Sequence, residues 1–110
     1  MQKIVRINAE LITSWDSFHY LFKKIFGYPG FYGNNMNAWI DCMSYIDDKD
    51  SGMTSFWITQ NDTLVIELTN SESFKERCFE IYLALMECSA FVNARKIKQS
   101  GKGIIAIALS

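Results

Sequence analysis

Histidine and proline are almost absent from this chain, with one residue of each, and glycine occurs only six times in 110 residues. The single histidine, His19, has no cysteine or aspartate at the spacing of a metal site or a catalytic triad. A covalent nucleophile needs a positioned base, and no arrangement of Ser, His and Asp suggests one. We therefore interpret His19 as a packing or surface residue and predict that the protein has no catalytic residue and is not an enzyme.

Cysteine is scarce and odd in number, and Cys42, Cys78 and Cys88 have no Cys-x-x-Cys spacing. This pattern disfavours structural zinc and a disulfide framework, so we predict reduced, buried thiols, no metal and no cofactor. No apolar run approaches the roughly 20 residues of a membrane span. The N-terminal segment resembles a strand rather than a signal peptide. Together these features predict a cytoplasmic protein.

Neither sign of charge is in clear excess, since 11 basic and 12 acidic residues give a formal net charge of −1. A general nucleic-acid-binding protein usually has a basic surplus, so that class is disfavoured. The distribution is nevertheless uneven. Between residues 34 and 62, Lys49 is the only cation against five acids: Asp41, Asp47, Asp48, Asp50 and Asp62. The C-terminal part is basic, with Arg95, Lys96, Lys98 and Lys102. We expect the acidic region to attract a cationic partner.

Strand-like and helical patterns alternate along the chain. A hydrophobic content of 49% in 110 residues predicts one globular domain, residues 1–110. Strands are expected at 3–8, 63–68 and 104–109, the second buried on both faces and the third too apolar to be an edge. The first helix should begin after Ser14 and end at Gly27, and a long helical region after Asn70 should break near 88–90. This order, β-α-α-β-α(α)-β, predicts an α/β fold with a small three-stranded parallel sheet.

Residues 29–48 form the most informative stretch. Pro29, Gly30 and Gly33 indicate a loop, after which Asn34 or Asn35 can cap a second helix. The helical period divides this helix into two faces. The face expected to be buried carries Trp39, Cys42, Met43 and Ile46. The face expected to be exposed carries Asn37, Asp41, Ser44 and Asp48, with Ile40 and Tyr45 on its margins. Residues 47–62 should form a long connection anchored by the apolar segment 56–58.

The run Phe-Tyr-Gly-Asn-Asn-Met-Asn-Ala-Trp-Ile-Asp-Cys at 31–42 resembles the inhibitory loop and helix of the barstar family, the intracellular inhibitors of barnase-type ribonucleases. The likeness extends back through His19, Lys23-Lys24 and Pro29, and forward to the closing strand at 104–110. It implies a barstar-like fold and a monomeric inhibitor that forms a 1:1 complex with a cognate ribonuclease or RNase toxin. It implies no direct contact with nucleic acid or a membrane.

The resemblance also implies which residues contact the partner. In the barstar family the aspartate that matches Asp41 enters the ribonuclease active site, so Asp41 is expected to do the same and to mimic RNA phosphate to basic groups. We expect Tyr32 to point outward, whereas Phe31 is compatible with the core or the interface. The predicted partner-binding residues are Phe31, Tyr32, Gly33, Asn35, Asn37, Ile40, Asp41, Ser44, Tyr45 and Asp48.

Three positions depart from the family pattern. Asn37 replaces a second aspartate, Ile40 replaces a tryptophan, and the acid expected on the last helix is missing near 95–98. Asp47 and Asp48 are candidate substitutes for the lost charge. These departures favour a target other than barnase, such as a diverged toxin. They leave a second hypothesis open, a barstar-fold interaction module that inhibits no nuclease, and a third, less favoured, an enzyme or RNA-binding protein that uses the 95–102 cations.

Overall fold

Three parallel strands, separated in sequence by pairs of helices, organise the chain. The computed structural model describes residues 1–110. In chain order, the strands and α-helices are β1 (Gln2–Asn8), α1 (Trp15–Phe26), α2 (Met36–Ser44), β2 (Thr63–Thr69), α3 (Ser71–Arg77), α4 (Phe79–Ser100) and β3 (Ile105–Leu109). Short 3₁₀ turns occupy Ala9–Leu11 and Lys49–Ser51. No helix is long and apolar enough to cross a membrane.

The sheet has the order β1-β2-β3, and both pairings are parallel. Ile4 of β1 lies opposite Val65 of β2, which in turn lies opposite Ala106 of β3. Each crossover between neighbouring strands contains two helices, as parallel pairing requires a long connection. The predicted α/β fold with a three-stranded parallel sheet is therefore confirmed.

Only one face of the sheet is buried, which corrects two expectations about the strands. Along β2, the inner residues Leu64, Ile66 and Leu68 are fully buried, whereas the alternate residues are only partly buried. The prediction that this strand is buried on both faces is wrong, because the apolar residue Val65 lies on the open face. The prediction for 104–109 is also wrong, since β3 pairs with β2 alone and is an edge strand.

The core lies between the inner face of the sheet and the helices. Phe18, Phe22 and Phe26 recur every four residues along α1 and are fully buried. The Phe22 ring meets Trp39 of α2, with ring centroids 6.1 Å apart. This spacing gives α1 a continuous apolar stripe, and Trp39 joins α2 to it.

The ends of α1 follow the predicted signals. Ser14 accepts a hydrogen bond from the Ser17 amide, and the Ser17 hydroxyl accepts one from the Ser14 amide, which completes a capping box. Gly27 ends the helix in the left-handed region at φ 67°. A side chain at Gly27 would meet Ser55, which packs directly against it.

The break in the last helical region lies at Cys78, so the prediction of a break near 88–90 is wrong. The Arg77 guanidinium donates to the carbonyl oxygens of Ile12 (3.1 Å) and Ala9 (3.4 Å). These bonds tie the end of α3 to the segment after β1. After this anchored point, α4 continues without interruption for 22 residues, because nothing at 88–90 breaks a helix.

The connection between α2 and β2 is anchored as predicted. Ile58 is buried, and its amide donates to the Ile46 carbonyl at 2.9 Å. The Ser55 amide donates to the Phe26 carbonyl at 3.0 Å. The long connection is therefore fixed to both α1 and the end of α2, although Trp57 within it stays exposed.

Candidate partner-binding site

Residues 29–35, the loop that the sequence predicts to contact a partner (the binding loop), are tied directly to the start of α2. The Tyr32 amide donates to the Pro29 carbonyl at 3.0 Å, and Asn34 adopts a left-handed conformation at φ 52°. The Asn35 side chain accepts from the Ala38 amide at 2.8 Å and donates to the Gly33 carbonyl at 3.2 Å. Asn35 therefore caps α2 and fixes the preceding turn, so loop and helix form one unit.

Tyr32 points into the protein, and the expectation that it points outward is wrong. It is only 6% exposed, and its hydroxyl lies 2.6 Å from Nδ1 of His19. Its ring also packs on Tyr28, with centroids 4.7 Å apart. Burial, with a smaller contribution from Cys42, raises the pKa of Tyr32 well above its usual value. The inward position of Tyr32 gives the buried His19 a hydrogen-bond partner, which a buried polar group requires.

Phe31 is the exposed aromatic residue of the binding loop, with 77% of its surface accessible. Gly33 and Asn35 are also exposed. His19 was interpreted as a packing or surface residue, and the structure shows that it is a packing residue, since it is buried and stacks on Trp15 with centroids 5.7 Å apart. The sequence did contain a signal for the inward position of Tyr32. A lone histidine beside an apolar stripe needs a polar partner if it is buried.

The exposed face of α2 is narrower than the helical period predicted. Asn37, Asp41 and Tyr45 are exposed and Ile40 is partly buried. The four residues assigned to the inner face (Trp39, Cys42, Met43 and Ile46) are buried, as predicted. The placement of Ser44 on the exposed face is wrong, because α4 packs along that flank. Its hydroxyl donates to the Ile40 carbonyl at 2.6 Å and accepts from Nη1 of Arg95 at 3.2 Å.

The carboxylate of Asp41 is paired with a cation from α4. Nη1 of Arg95 lies 3.5 Å from Oδ1 of Asp41, and the two side chains are 37% and 60% exposed, respectively. An ion pair with this exposure contributes roughly 0–1 kcal/mol, so it can open at little cost. The Arg95 guanidinium also lies over the exposed ring of Phe91, 5.3 Å from its centroid. From the sequence Arg95 was only one of four C-terminal cations, and neither it nor Phe91 was predicted to lie beside Asp41, although their spacing of four residues places them on one helix face.

Of the two candidate substitutes for the missing acid, only Asp48 is available at the surface. Asp47 is engaged by Lys96, whose Nζ lies 3.0 Å from each carboxylate oxygen, and both side chains are nearly buried. Asp48 is exposed, and its Oδ1 accepts from the Asp50 amide at 3.2 Å. The ion pair of Asp47 instead joins the end of α2 to α4.

The acidic region is less negative at its surface than its composition indicates. Asp62 is buried close to the N-terminal amine of Met1, at 3.6 Å. Hydrogen bonds from Thr59, with a smaller effect of that amine, lower the pKa of Asp62. With Asp47 neutralised by Lys96, the exposed acids are Asp41, Asp48 and Asp50.

The thiols and cavities offer little chemistry at this surface. All three cysteines are free, as predicted, but only Cys42 is fully buried. Burial, with a smaller effect of Asp41, raises the pKa of Cys42 to about 11. No group of three His, Cys, Asp or Glu side chains is arranged to hold a metal ion. The largest cavity, about 570 Å³, lies between α3, the start of α4 and Leu109, and none of the predicted partner-binding residues lines it.

The parallel sheet and the capped second helix define an α/β protein of the barstar-like class. A family model described as Barstar (barnase inhibitor) matches residues 2–104, nearly the whole chain. The chain belongs to the Barstar family. The family description names inhibitors, a class of protein that blocks an enzyme rather than one that catalyses a reaction. A comparison with curated proteins finds no match.

Proposed function

We propose that this protein is an inhibitor of a cognate ribonuclease or RNase toxin and blocks its active site with the binding loop and α2. The observation that carries the proposal is the exposed carboxylate of Asp41, which projects from a helix that is fixed by the Asn35 cap and by packing on α4. Membership of a family described as barnase inhibitors supports the same function. The protein itself catalyses no reaction.

The chemistry of inhibition follows from what a ribonuclease active site must hold. Such a site binds the RNA phosphate with cationic groups, and a carboxylate offers them the same charge and acceptor oxygens. The weak pair between Asp41 and Arg95 gives way to this stronger set of donors when the complex forms. Asp41 thus takes the place of a phosphate, and RNA is excluded.

The proposed contact surface contains the exposed and partly exposed predicted residues: Phe31, Gly33, Asn35, Asn37, Ile40, Asp41, Tyr45 and Asp48. Two other predicted residues act from beneath it. Tyr32 holds the binding loop against α1 through His19, and Ser44 holds the Arg95 side chain. We propose that they contribute by positioning the surface.

We further propose an immunity or antitoxin role inside the cell that makes the ribonuclease, with a monomer acting at a 1:1 ratio. The three free cysteines are compatible with a reducing cytoplasm. Of the four cations of the 95–102 segment, only Lys98 has no protein partner, because Arg95 and Lys96 are paired with aspartates and Nζ of Lys102 donates to the Asp62 carbonyl; they do not form a free basic patch. This disfavours RNA as the direct partner.

The proposal is tested by titrating the protein against the ribonuclease encoded beside its gene, with RNA cleavage as the readout. We expect cleavage to stop at one equivalent. The exposed aspartates should also accelerate encounter with a basic enzyme, so the association rate should fall clearly between about 50 and 500 mM salt. Cleavage unaffected by an excess of the protein would overturn the proposal, and a flat salt profile would remove its electrostatic part.

One observation favours a second candidate function, a protein-interaction module that inhibits no nuclease. Arg95 lies beside Asp41 and partly offsets the negative charge that a ribonuclease would recognise. This function predicts a tight complex with a partner that has no nuclease activity. Purifying the complex from the source cells and assaying the partner for RNA cleavage separates the two functions.

A further inference from the structure

Arg95 of α4 lies at the flank of the proposed surface, beside Asp41, and has three contacts there. Its Nη1 contacts Asp41 at 3.5 Å and Ser44 at 3.2 Å, and its guanidinium carbon lies over the Phe91 ring. Stacking on an aromatic ring and a hydrogen bond to a buried hydroxyl both restrict this long side chain. Arg95 is therefore a cation in a defined position, not a freely moving surface charge.

Much of the hydrogen-bonding capacity of Arg95 remains unused. A guanidinium group has five N–H donors in a planar fork. Both contacts with oxygen use Nη1, and neither Nε nor Nη2 donates to another protein group. With more than a third of the side chain exposed, the remaining donors can meet an acceptor from solvent or from a partner. The ligand that fits such a fork best is a carboxylate, which accepts two parallel hydrogen bonds.

A uniformly basic partner surface does not fit this arrangement. It would attract Asp41 and repel Arg95, although the two groups are only 3.5 Å apart. Like charges brought together in an interface disfavour a partner strongly. The complementary surface has the opposite order of charges, with a cation facing Asp41 and an acid facing Arg95.

We propose that Arg95 is a specificity-determining residue, and that the cognate ribonuclease presents a carboxylate to Arg95 beside the cation that it presents to Asp41. This inference rests on the proposed function, because it concerns the same surface and the same partner. Phe91, exposed beneath the guanidinium, extends the interface onto α4 and supplies an apolar contact next to the two charges. The surface thus selects a partner that places a cation opposite Asp41 and a carboxylate opposite Arg95.

The test compares Arg95→Gln with Lys98→Gln by measuring the dissociation constant for the ribonuclease encoded beside the gene. Lys98 is an exposed cation on the same helix without an ion pair, so both substitutions change the net charge equally. We expect Arg95→Gln to weaken binding by at least about tenfold, because the acid of the partner loses its donors, and Lys98→Gln to change it by less than about twofold.

A second variant separates specificity from folding. The single substitution Arg95→Glu leaves Asp41 in place and reverses only the charge that should meet the carboxylate of the partner. We expect it to melt close to the wild-type temperature and to lose binding. Wild-type melting together with wild-type affinity would overturn the inference.

The outcomes also distinguish this inference from the function on which it rests. If the wild-type protein neither binds nor inhibits the ribonuclease, the proposed function fails and the inference fails with it. If the wild-type protein inhibits but Arg95→Gln binds as tightly or more tightly, the proposed function stands and the inference alone is overturned. In that case Arg95 merely competes with the partner for Asp41.

Discussion

The nearly buried pair of Asp47 and Lys96 gives the sharpest stability prediction. Nζ of Lys96 lies 3.0 Å from both oxygens of Asp47, and the side chains are only 11% and 8% exposed, respectively. Lys96→Met keeps most of the aliphatic stem but removes the only cation bonded to Asp47. Removing one partner of a buried ion pair leaves the other charge buried and unpaired, which lowers the free energy of unfolding by about 3–5 kcal/mol. The pair borders a polar cleft of about 420 Å³ with Gln60 and Ser100, so hydration reduces the expected cost to about 2–3 kcal/mol.

This loss is large enough to measure by unfolding. For a domain of this size, 1 kcal/mol corresponds to roughly 4 °C, so Lys96→Met should lower the melting temperature by about 8–12 °C. Circular dichroism during thermal and urea unfolding reports both quantities. Lys98→Met is the matched control, because it makes the same change at an exposed site of the same helix and should shift melting by less than about 2 °C.

The double variant Lys96→Met with Asp47→Leu tests the physical reason. Removing both charges leaves no unpaired buried charge, so most of the lost stability should return. If Lys96→Met were no more destabilising than Lys98→Met, the pair would be hydrated and the reasoning would be refuted. If the double variant were no more stable than Lys96→Met, the loss of stability would come from the packing of the Lys96 stem instead.

Two further predictions concern local features of α1. Gly27→Ala should destabilise the fold more than Gly101→Ala. Both glycines have positive φ, but only at Gly27 would the added carbon fall 1.6 Å from a neighbouring atom, Oγ of Ser55. Equal urea midpoints of the two variants would contradict this prediction. Burial lowers the pKa of His19 below 6.5, against a smaller opposing effect of Asp16, so the unfolded chain binds the proton more readily. Stability should therefore fall as the pH is lowered from about 7 to 5.5, and His19→Gln should lose this dependence; the same slope in both proteins would be evidence against it.

The parts of the fold predicted correctly from the sequence depend on local chemistry. Ser14 and Asn35 cap their helices, and Gly27 ends α1 in the conformation that glycine adopts most easily. The apolar stripe of α1 and the buried face of α2 follow from the helical period alone. Such signals lie within a few residues of the structure that they predict, so they require no knowledge of how the elements pack.

The incorrect predictions concern contacts between distant parts of the chain. Periodicity places Ser44 on the polar side of α2 but contains no information that α4 covers that flank. The inward turn of Tyr32 depends on His19, 13 residues earlier, and the break at Cys78 follows anchoring of Arg77 to the segment after β1. An apolar composition made β3 resemble an inner strand, although its place in the sheet is set by topology.

The candidate site was predicted only in part for the same reason. The sequence predicted Asp41 as a partner contact, which stays a prediction, and the structure leaves that carboxylate exposed. It did not place Arg95 beside Asp41, because Arg95 follows 54 residues later and the two meet only where α2 and α4 pack together. The charge of the surface therefore depends on tertiary pairing, which composition between residues 34 and 62 cannot reveal.

The most direct test of the inhibitor function compares Asp41→Asn with Asp50→Asn in ribonuclease inhibition. Both remove one exposed aspartate from the same acidic region, but only Asp41 lies on the proposed contact face of α2. We expect Asp41→Asn to weaken inhibition by at least about 30-fold, corresponding to about 2 kcal/mol, and Asp50→Asn to change it by less than about threefold. Equal and small effects of the two substitutions, in a wild-type protein that does inhibit, would contradict the claim that Asp41 occupies the active site.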